Sequence, residues 1–215
     1  VAPLREKETL LQEIYHRTKN NMQVIASLLS LQALSSDSPE VTRITEDSIS
    51  RIRTMALAHE KLYQAGNLSR IDMKEYVTDL TELTLNGSES ASNRVELQLD
   101  LQEIEMRIDL AVPCGLIINE LLTNSLKHAF PAGRKGWIHI GLRNYKEDMT
   151  ELEFRDNGVG LPPNFDIPNA TSLGIQLIRR TVQHQLQGEI TVTRDNGLCW
   201  CIRIRNDLYS ERVQR

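Results

Sequence analysis

The N-terminal part of the chain repeats apolar residues at helical spacing. Members of each row stand seven residues apart; one row holds Leu4, Leu11, Thr18 and Ile25, and a second holds Tyr15, Met22 and Leu29. Rows of this kind are typical of helices that pack as coiled coils. The pattern predicts one long helix over residues 4–34.

A second helix is predicted after a short turn. In the segment SSDSPE, Ser38 is a good helix cap and Pro39 suits the first helical position. The helix then runs to about Gln64, and its apolar side carries Val41, Ile44, Ile52, Met55, His59 and Leu62. A hairpin of two helices cannot cover both apolar stripes, so we expect two copies of the chain to form a dimeric four-helix bundle.

The pattern changes after AGNLSR, residues 65–70, which we interpret as a hinge. Helices are predicted at 72–86, 110–129 and 173–186, and strands at 94–101, in GWIHIGLRN, in TELEFRD and in a final hairpin with a type I′ turn at Asn196-Gly197. The predicted fold class is α+β. A helical hairpin over 1–66 precedes an α/β sandwich over 67–215, with one mixed sheet and helices on one face.

Composition and charge exclude several function classes. The 215 residues are 40% hydrophobic and 25% charged, which is ordinary for a globular protein. A net charge of -4 argues against a nucleic-acid surface and a polybasic membrane patch, so we expect neither partner. No apolar run approaches the ~20 residues of a membrane span. The charged start has no signal-peptide pattern, so we expect a cytoplasmic protein. The missing initial Met indicates a fragment of a longer chain, although processing would also explain it.

The cysteines give little chemistry. Cys114, Cys199 and Cys201 are an odd number without paired spacing, which indicates a reducing compartment. Buried free thiols are favoured over a zinc site, because no second cysteine pair or histidine pair completes a ligand set.

The segment YHRTKNNMQ places polar residues in the middle of the first predicted helix. His16 has polar neighbours three and four residues away, among them Glu13 and Asn20, so we expect it to face water. An exposed imidazole is either an ordinary surface group or a nucleophile. Arg17, Lys19 and Asn20 could offset the charge of an incoming phosphoryl group.

A second set of polar residues lies in NELLTNSLKHAF. Glu120, Asn124, Lys127 and either Asn119 or His128 fall on one side of a helix. The solvated face of an amphipathic helix would have the same residue types.

Two glycine-containing segments follow in order. In DNGVG, Asp156 ends a strand, and Gly158 and Gly160 let the backbone approach a ligand, although ordinary turns use the same residues. In TSLGIQLI, Gly174 stands near a helix start, where free N–H groups favour phosphate. The order of these segments is more informative than each segment alone.

The segment LLQEIYHRTKNNMQVIASLLSLQ resembles the dimerisation and phosphoacceptor helix of bacterial sensor histidine kinases, within the H-R-x-K-N-N subfamily. In this family the histidine takes the γ-phosphoryl group of ATP and passes it to an aspartate in the receiver domain of a response regulator. The resemblance implies an acceptor, His16, with Arg17, Lys19, Asn20 and Asn21 in support, and an upstream sensory domain. Where most such kinases have an acidic residue after the acceptor this chain has Arg17, so Glu13 is an alternative base.

The later segments resemble the GHKL-type ATP-binding domain that gyrase, heat-shock chaperone, histidine kinase and MutL ATPases share. The resemblance implies that Asn124 ligates Mg²⁺, that Lys127 and His128 reach the phosphates or ribose, and that Asn119 and Glu120 lie nearby. It also implies that Asp156 accepts from the adenine amine. The two glycine boxes would hold Gly158 and Gly160, then Leu173 and Gly174, with residues 158–173 as a lid over the triphosphate.

Three functions fit these residues: an autophosphorylating sensor histidine kinase core, an ATPase or ATP-gated clamp of the same superfamily, and a non-catalytic dimeric phosphotransfer scaffold. The HRTKNN segment favours the kinase over the ATPase, which needs no exposed histidine on a bundle. The DNGVG and NELLTNSLKH segments favour the kinase over a scaffold, which needs no nucleotide pocket.

Overall fold

The computed structural model describes residues 2–64, 70–87, 94–146, 148–162, 165–167, 169–170 and 172–206. Contacts within the chain define two compact units. A helical unit contains Val1–Asp72 and Glu105–Leu116, and a sheet unit contains Met73–Ile104 and Ile117–Arg215. The predicted boundary at residues 66 and 67, and the hinge around it, lie outside the described residues except for Arg70. In the described part of the chain, no helix combines the length and apolar content of a membrane span.

Two antiparallel helices form most of the helical unit, as predicted. They are α1, Ala2–Leu34, and α2, Pro39–Gln64. Ser38 caps α2, since its hydroxyl accepts from the Val41 N–H at 3.4 Å and its carbonyl from the Thr42 N–H at 3.0 Å. The two helices pack along α1 at Ala26, which is buried, and at half-buried positions: Tyr15, Thr18, Met22 and Leu29.

A second row of apolar side chains on α1 is exposed. This exposed seam consists of Leu10, Ile14, Val24, Leu28 and Leu31, which are each more than half exposed in this chain. Arg17 and Asn21 lie between Ile14 and Val24 on the same side of the helix. With these two polar residues included, successive members of the seam are alternately four and three residues apart. Ile25, which the sequence places in one row with Thr18, is 49% exposed, whereas its neighbour Ala26 is buried.

A small two-stranded sheet completes the helical unit. Strands β1, Arg70–Asp72, and β3, Glu105–Arg107, pair antiparallel, with Ile71 opposite Met106. Helix α4, Ile108–Asn124, starts directly after β3. The sequence did not predict these strands, because three residues are too few to establish an alternating pattern.

The sheet unit has one mixed five-stranded sheet in the order β2-β4-β5-β7-β6. The strands are β2, Val95–Leu101; β4, Gly136–Lys146; β5, Met149–Asp156; β6, Glu189–Thr193; and β7, Leu198–Arg205. Strand β2 is parallel to β4, and the other neighbours are antiparallel. Helices α3, Met73–Asn86, and α5, Leu173–Arg180, belong to the same unit, so the predicted α/β sandwich is confirmed.

Strand alternation separates a buried face of the sheet from a charged face. The buried face carries Ile138, Ile140, Leu142, Leu152, Phe154, Trp200, Ile202 and Ile204. On the other face Glu151 lies between Arg143 and Arg203, at 2.9 and 3.0 Å. Burial raises the pKa of the Glu151 carboxyl, but the two guanidinium groups outweigh burial and leave that pKa below its ordinary value.

The three cysteines are free thiols. Cys114 is fully buried, and burial raises its pKa to about 12, so it is inert. Cys199 and Cys201 are half-buried. Among the described residues no group of three or more His, Cys, Asp or Glu side chains could hold a metal ion.

Two details near the ends of elements position the site. Helix α4 continues as a π-helical turn, Ser125–Ala129, and α5 continues likewise as Thr181–Gln185. The final hairpin has four residues, 194–197, between its strands, so the predicted two-residue type I′ turn is wrong. Gly197 has a φ of 125°, outside the values of that turn, because it lies against the backbone of Asp156.

Candidate functional site

A cavity of about 490 Å³ lies in the sheet unit where α4, the loop after β5, the start of α5 and β7 meet. Its wall is mostly apolar; it includes Leu121, Ala129, Val159, Leu161, Pro162, Phe165, Ile175, Leu198 and Trp200. Its polar members are Asn124, Ser125, His128, Asp156 and Ser172. A mostly apolar pocket with few polar groups is the usual form of a small-molecule site.

Asp156 is a buried polar residue of this cavity, with only 2% of its surface exposed. Its Oδ2 accepts a hydrogen bond from the Ser125 hydroxyl at 2.8 Å, and its Oδ1 accepts from the Gly158 N–H at 2.9 Å. A carboxylate offers about four lone-pair sites, so two donors leave room for a third. The carboxylate, which borders the cavity, can therefore accept a further hydrogen bond from a donor placed there.

Gly158 and Gly160 shape the loop that follows Asp156. A Cβ at Gly158 would lie 2.4 Å from the Cβ of Ala129, so only glycine fits beside the π-helical turn. Gly160 has a φ of 67°, which strains other residues. The Val159 N–H donates to the Ala129 carbonyl at 2.9 Å and ties the loop to that turn.

Gly174 brings the start of α5 against the polar side of α4. A Cβ at Gly174 would lie 2.7 Å from Oε2 of Glu120 and 3.4 Å from Nδ2 of Asn124. Three predicted site residues are therefore together at a helix N-terminus, where backbone N–H groups favour an anion. Glu120 is almost fully buried, whereas Asn124 borders the cavity.

Other predicted residues lie elsewhere. Asn119 is buried, and its Oδ1 faces the Thr84 hydroxyl of α3 at 3.4 Å. The sequence left Asn119 and His128 as alternatives, and of these two His128 lines the cavity. Lys127 is exposed and Leu173 is 61% exposed. Neither belongs to the cavity lining that the described residues form.

Sequence reasoning gave no role to Ser125 and Trp200, and it placed Phe165 only within the predicted lid. Ser125 was overlooked because it follows Asn124, and only the π-helical turn directs both side chains to one site. Trp200 was assigned no role, yet its alternation with Cys199 and Cys201 already placed it on the opposite face of β7. Phe165 lies in a sequence segment without helical or strand periodicity, so the pattern does not indicate which way its side chain points.

His16 is exposed on α1, as predicted, and has an ordered neighbour one turn later. The amide nitrogen of Asn20 lies 3.3 Å from Nδ1 of His16. Glu13 is engaged by Arg17, whose Nε donates to Oε1 at 3.0 Å. Lys19 reaches across to α2 and pairs with Glu60 at 2.8 Å.

A small cavity of about 130 Å³ lies beside His16 within the helical unit. It is lined by Tyr15, His16, Lys19, His59, Glu60, Tyr63 and Gln64. The rings of Tyr15 and His59 are 5.8 Å apart, and those of His16 and Tyr63 are 6.4 Å apart. Burial lowers the pKa of His59, whose Nδ1 has no hydrogen-bond partner in the described part of the chain.

Comparison with protein families agrees with both parts of this geometry. Residues 13–87 match the family model described as "Histidine kinase". Residues 110–208 match the family model described as "Histidine kinase-, DNA gyrase B-, and HSP90-like ATPase". The two matched ranges account for most of the chain, and the second identifies an ATPase domain of the histidine kinase, gyrase and HSP90 type after the two long helices.

Curated relatives carry the same domains within longer proteins. The chain is 28% identical over 206 residues to the sensor histidine kinase PdtaS of Mycobacterium tuberculosis, covering 94% of this chain and 40% of the relative. It is 26% identical over 193 residues to the blue-light-activated histidine kinase 2 of Erythrobacter litoralis, covering 88% and 54%. The chain thus spans about half or less of these relatives.

Solved structures share the fold. The histidine kinase domain of Erythrobacter litoralis EL346 aligns with a TM-score of 0.71 and 20% identity, covering 97% of this chain and 98% of that chain. Acinetobacter baumannii AdeS aligns with a TM-score of 0.55 and 16% identity, covering 87% and 96%. At these identities the likeness shows the fold alone.

Proposed function

We propose that this chain, which belongs to the histidine kinases, is the autokinase core of a sensor kinase that transfers the γ-phosphoryl group of ATP to His16. The observation that carries the proposal is the pairing of two features on one chain. The sheet unit has a nucleotide-sized cavity with a buried carboxylate, Asp156, and the helical unit exposes an imidazole with an ordered amide neighbour.

Asp156 would select adenine. Its remaining lone pairs would accept the exocyclic amine, while Ser125 and Gly158 hold the carboxylate in place. Guanine has a carbonyl at the corresponding position, and two acceptors facing each other in a buried site are unfavourable. The apolar wall, with Trp200 and Phe165, would stack against the purine ring.

The opposite end of the cavity would hold the phosphates. The N-terminus of α5 offers backbone N–H groups there, and Gly174 allows them close to Asn124. His128 also lines the cavity, and Lys127 extends from the same turn of the chain. We assign these groups to the triphosphate.

The residues near Gly174 fit a magnesium ion. Oε2 of Glu120 and Oδ1 of Asn124 lie 2.7 and 3.9 Å from the position that a Cβ would take at Gly174, and hard oxygen ligands are those that Mg²⁺ prefers. Few protein oxygens suffice, since Mg²⁺ in nucleotide sites takes most ligands from phosphates and water. Asn124 would hold the ion and Glu120 would orient a water on it; the bound ion would neutralise phosphate charge.

His16 would act as the nucleophile through Nε2. The Asn20 amide can donate to a bare Nδ1, or its carbonyl can accept from a protonated Nδ1 after an amide flip. The second arrangement leaves the Nε2 lone pair available. That lone pair attacks the γ-phosphorus, the bond to the β-phosphate oxygen breaks, and ADP leaves. No strong base is then required, which suits a Glu13 that is engaged by Arg17.

The exposed seam supports a homodimer as the working form. Apolar residues at alternating spacings of three and four residues favour a neighbouring helix. Arg17 and Asn21 interrupt the seam beside His16, and polar residues at such positions commonly set register. An aspartate of a response regulator would take the phosphoryl group next. A sensory domain joined to α1, and a cytoplasmic site for the kinase core, complete the proposal.

Incubation with γ-labelled ATP and Mg²⁺ tests the proposal. We expect label that is acid-labile, alkali-stable and lost in His16→Gln. Release of free phosphate without labelled protein would instead favour an ATPase. Absence of both products would favour a non-catalytic scaffold.

A further inference from the structure

We propose that Arg194 is a positioning residue that holds one wall of the nucleotide cavity in place, an inference that rests on the proposed function. Arg194 belongs to the four-residue turn between β6 and β7, far along the chain from the wall it contacts. Its Nη1 donates to the carbonyl of Pro162 at 3.2 Å, and its Nη2 donates to the carbonyl of Phe165 at 2.5 Å.

Both contacted residues have side chains in the cavity wall. The acceptors are backbone carbonyls, so one planar guanidinium fixes two points of the chain after β5, whose described residues up to Ile167 belong to no helix or strand. Because Phe165 faces the space proposed for the purine, the position of its ring depends on where its carbonyl is held.

The same turn also contacts the start of this wall. A Cβ at Gly197 would lie 1.9 Å from the carbonyl oxygen of Asp156, so the turn and the loop after β5 are in direct backbone contact. A Cβ at Gly160 would lie 3.2 Å from the Gly197 carbonyl oxygen. The turn therefore contacts this wall at Asp156 and Gly160 and, through Arg194, at Pro162 and Phe165.

Arg194 is exposed and acts from the side opposite the nucleotide. It borders, with Arg134, a polar cleft of about 660 Å³ that adjoins residues 157–161. Arg134 also donates to a carbonyl of this loop, that of Asn157, at 2.8 Å. Neither arginine lines the nucleotide cavity in the described part of the chain, which distinguishes positioning from direct contact with the ligand.

The test uses the full chain and a fluorescent ADP analogue. We expect Arg194→Ala to raise the Kd about tenfold, mainly through faster dissociation, since two hydrogen bonds from a charged group to the wall are lost. Arg194→Lys keeps a cationic donor and should recover part of the loss. Arg180→Ala, an exposed arginine on α5, is the matched control and should leave the Kd unchanged.

A double-mutant cycle with Phe165→Ala separates positioning from general destabilisation. If Arg194 acts through Phe165, the double variant loses less affinity than the product of the two single effects. For autophosphorylation, KM for ATP should rise more than kcat falls. Hydrogen exchange should quicken over residues 159–167 while the melting temperature of the chain stays constant.

Unchanged Kd and dissociation in Arg194→Ala would overturn the positioning role while leaving the proposed function intact. Strictly multiplicative effects in the cycle would overturn it as well. If the wild-type chain bound no adenine nucleotide, the proposed function itself would fail, and the positioning role with it.

Discussion

The hydroxyl of Ser125 donates to the carboxylate of Asp156 across 2.8 Å, although 31 residues separate them and both are nearly inaccessible to solvent. The bond joins the π-helical turn after α4 to the end of β5. A buried carboxylate needs such donors, because an unpaired buried charge is strongly unfavourable. Ser125 thereby sets which lone pairs of Asp156 remain for a ligand.

Replacement of Ser125 should therefore weaken adenine binding without removing the acceptor group. We expect Ser125→Ala to raise the Kd for ADP about tenfold, and Asp156→Asn to raise it further, about a hundredfold. Calorimetry with ADP measures both. Ser125→Thr keeps the hydroxyl and serves as the control; equal affinity of Ser125→Ala and the wild type would contradict the role given to this bond.

Gly174 should be required for the phosphate end of the site. In Gly174→Ala the new methyl group meets the carboxylate of Glu120, whose flexible end must move. We expect ATP-dependent labelling to fall about tenfold or more through misplacement of Glu120 and Asn124, with little change in the melting temperature. Gly87→Ala is the matched control, because its Cβ would meet only ordinary contacts, at 3.5 Å and beyond. Equal labelling of the two variants would argue against a phosphate site at α5.

The exposed seam should hold two copies together. We expect Leu28→Lys to shift the chain from dimer to monomer in sedimentation velocity, because a buried ammonium at an interhelical position is unfavourable. Gln32→Lys places the same charge at an exposed polar position of the same helix and should leave the dimer intact. If the wild-type chain sedimented as a monomer, the exposed seam would not be a dimer interface.

His59 should make the helical unit sensitive to mild acid. Burial lowers its pKa below the ordinary 6.5, so the unfolded chain binds more protons between the two values. Stability is then fully present above pH 6.5 and declines as the pH falls below it. Urea unfolding at pH 5.5 and pH 7.5 measures the decline. Phenylalanine does not bind a proton, so His59→Phe should reduce the decline while it keeps a ring against Tyr15. If stability declined equally in His59→Phe, the pH dependence would come from other titratable groups.

Periodicity predicted the long elements well. Helix α2 begins at Pro39 and ends at Gln64 as expected, because a cap, a proline and a regular apolar stripe all indicate the same boundaries. Apolar alternation likewise located β4 and β5. The strands β1 and β3 escaped prediction because pairing between distant segments, rather than local preference, creates them.

The residues of the cavity were predicted only in part, because the chain departs from regular helical geometry there. Motif spacing assumes a regular α-helix, which placed Asn119 among the ligand-facing residues. The structure buries Asn119 beside Thr84, while the π-helical turn brings Ser125 and His128 to the cavity. Contacts from the loop and from the β6–β7 turn, such as that of Arg194 with Phe165, depend on tertiary packing that no local pattern encodes.

Location of the phosphoryl group after reaction tests the central claim most directly. The full chain would be incubated with ATP and Mg²⁺, digested at neutral to alkaline pH, and sequenced by electron-transfer tandem mass spectrometry. The account predicts one phosphoryl group on His16 in the wild type and, at an ATP concentration below the wild-type Kd, a far smaller occupancy of His16 in Asp156→Asn. A phosphoryl group on another residue, or on His16 to the same extent in Asp156→Asn, would contradict it.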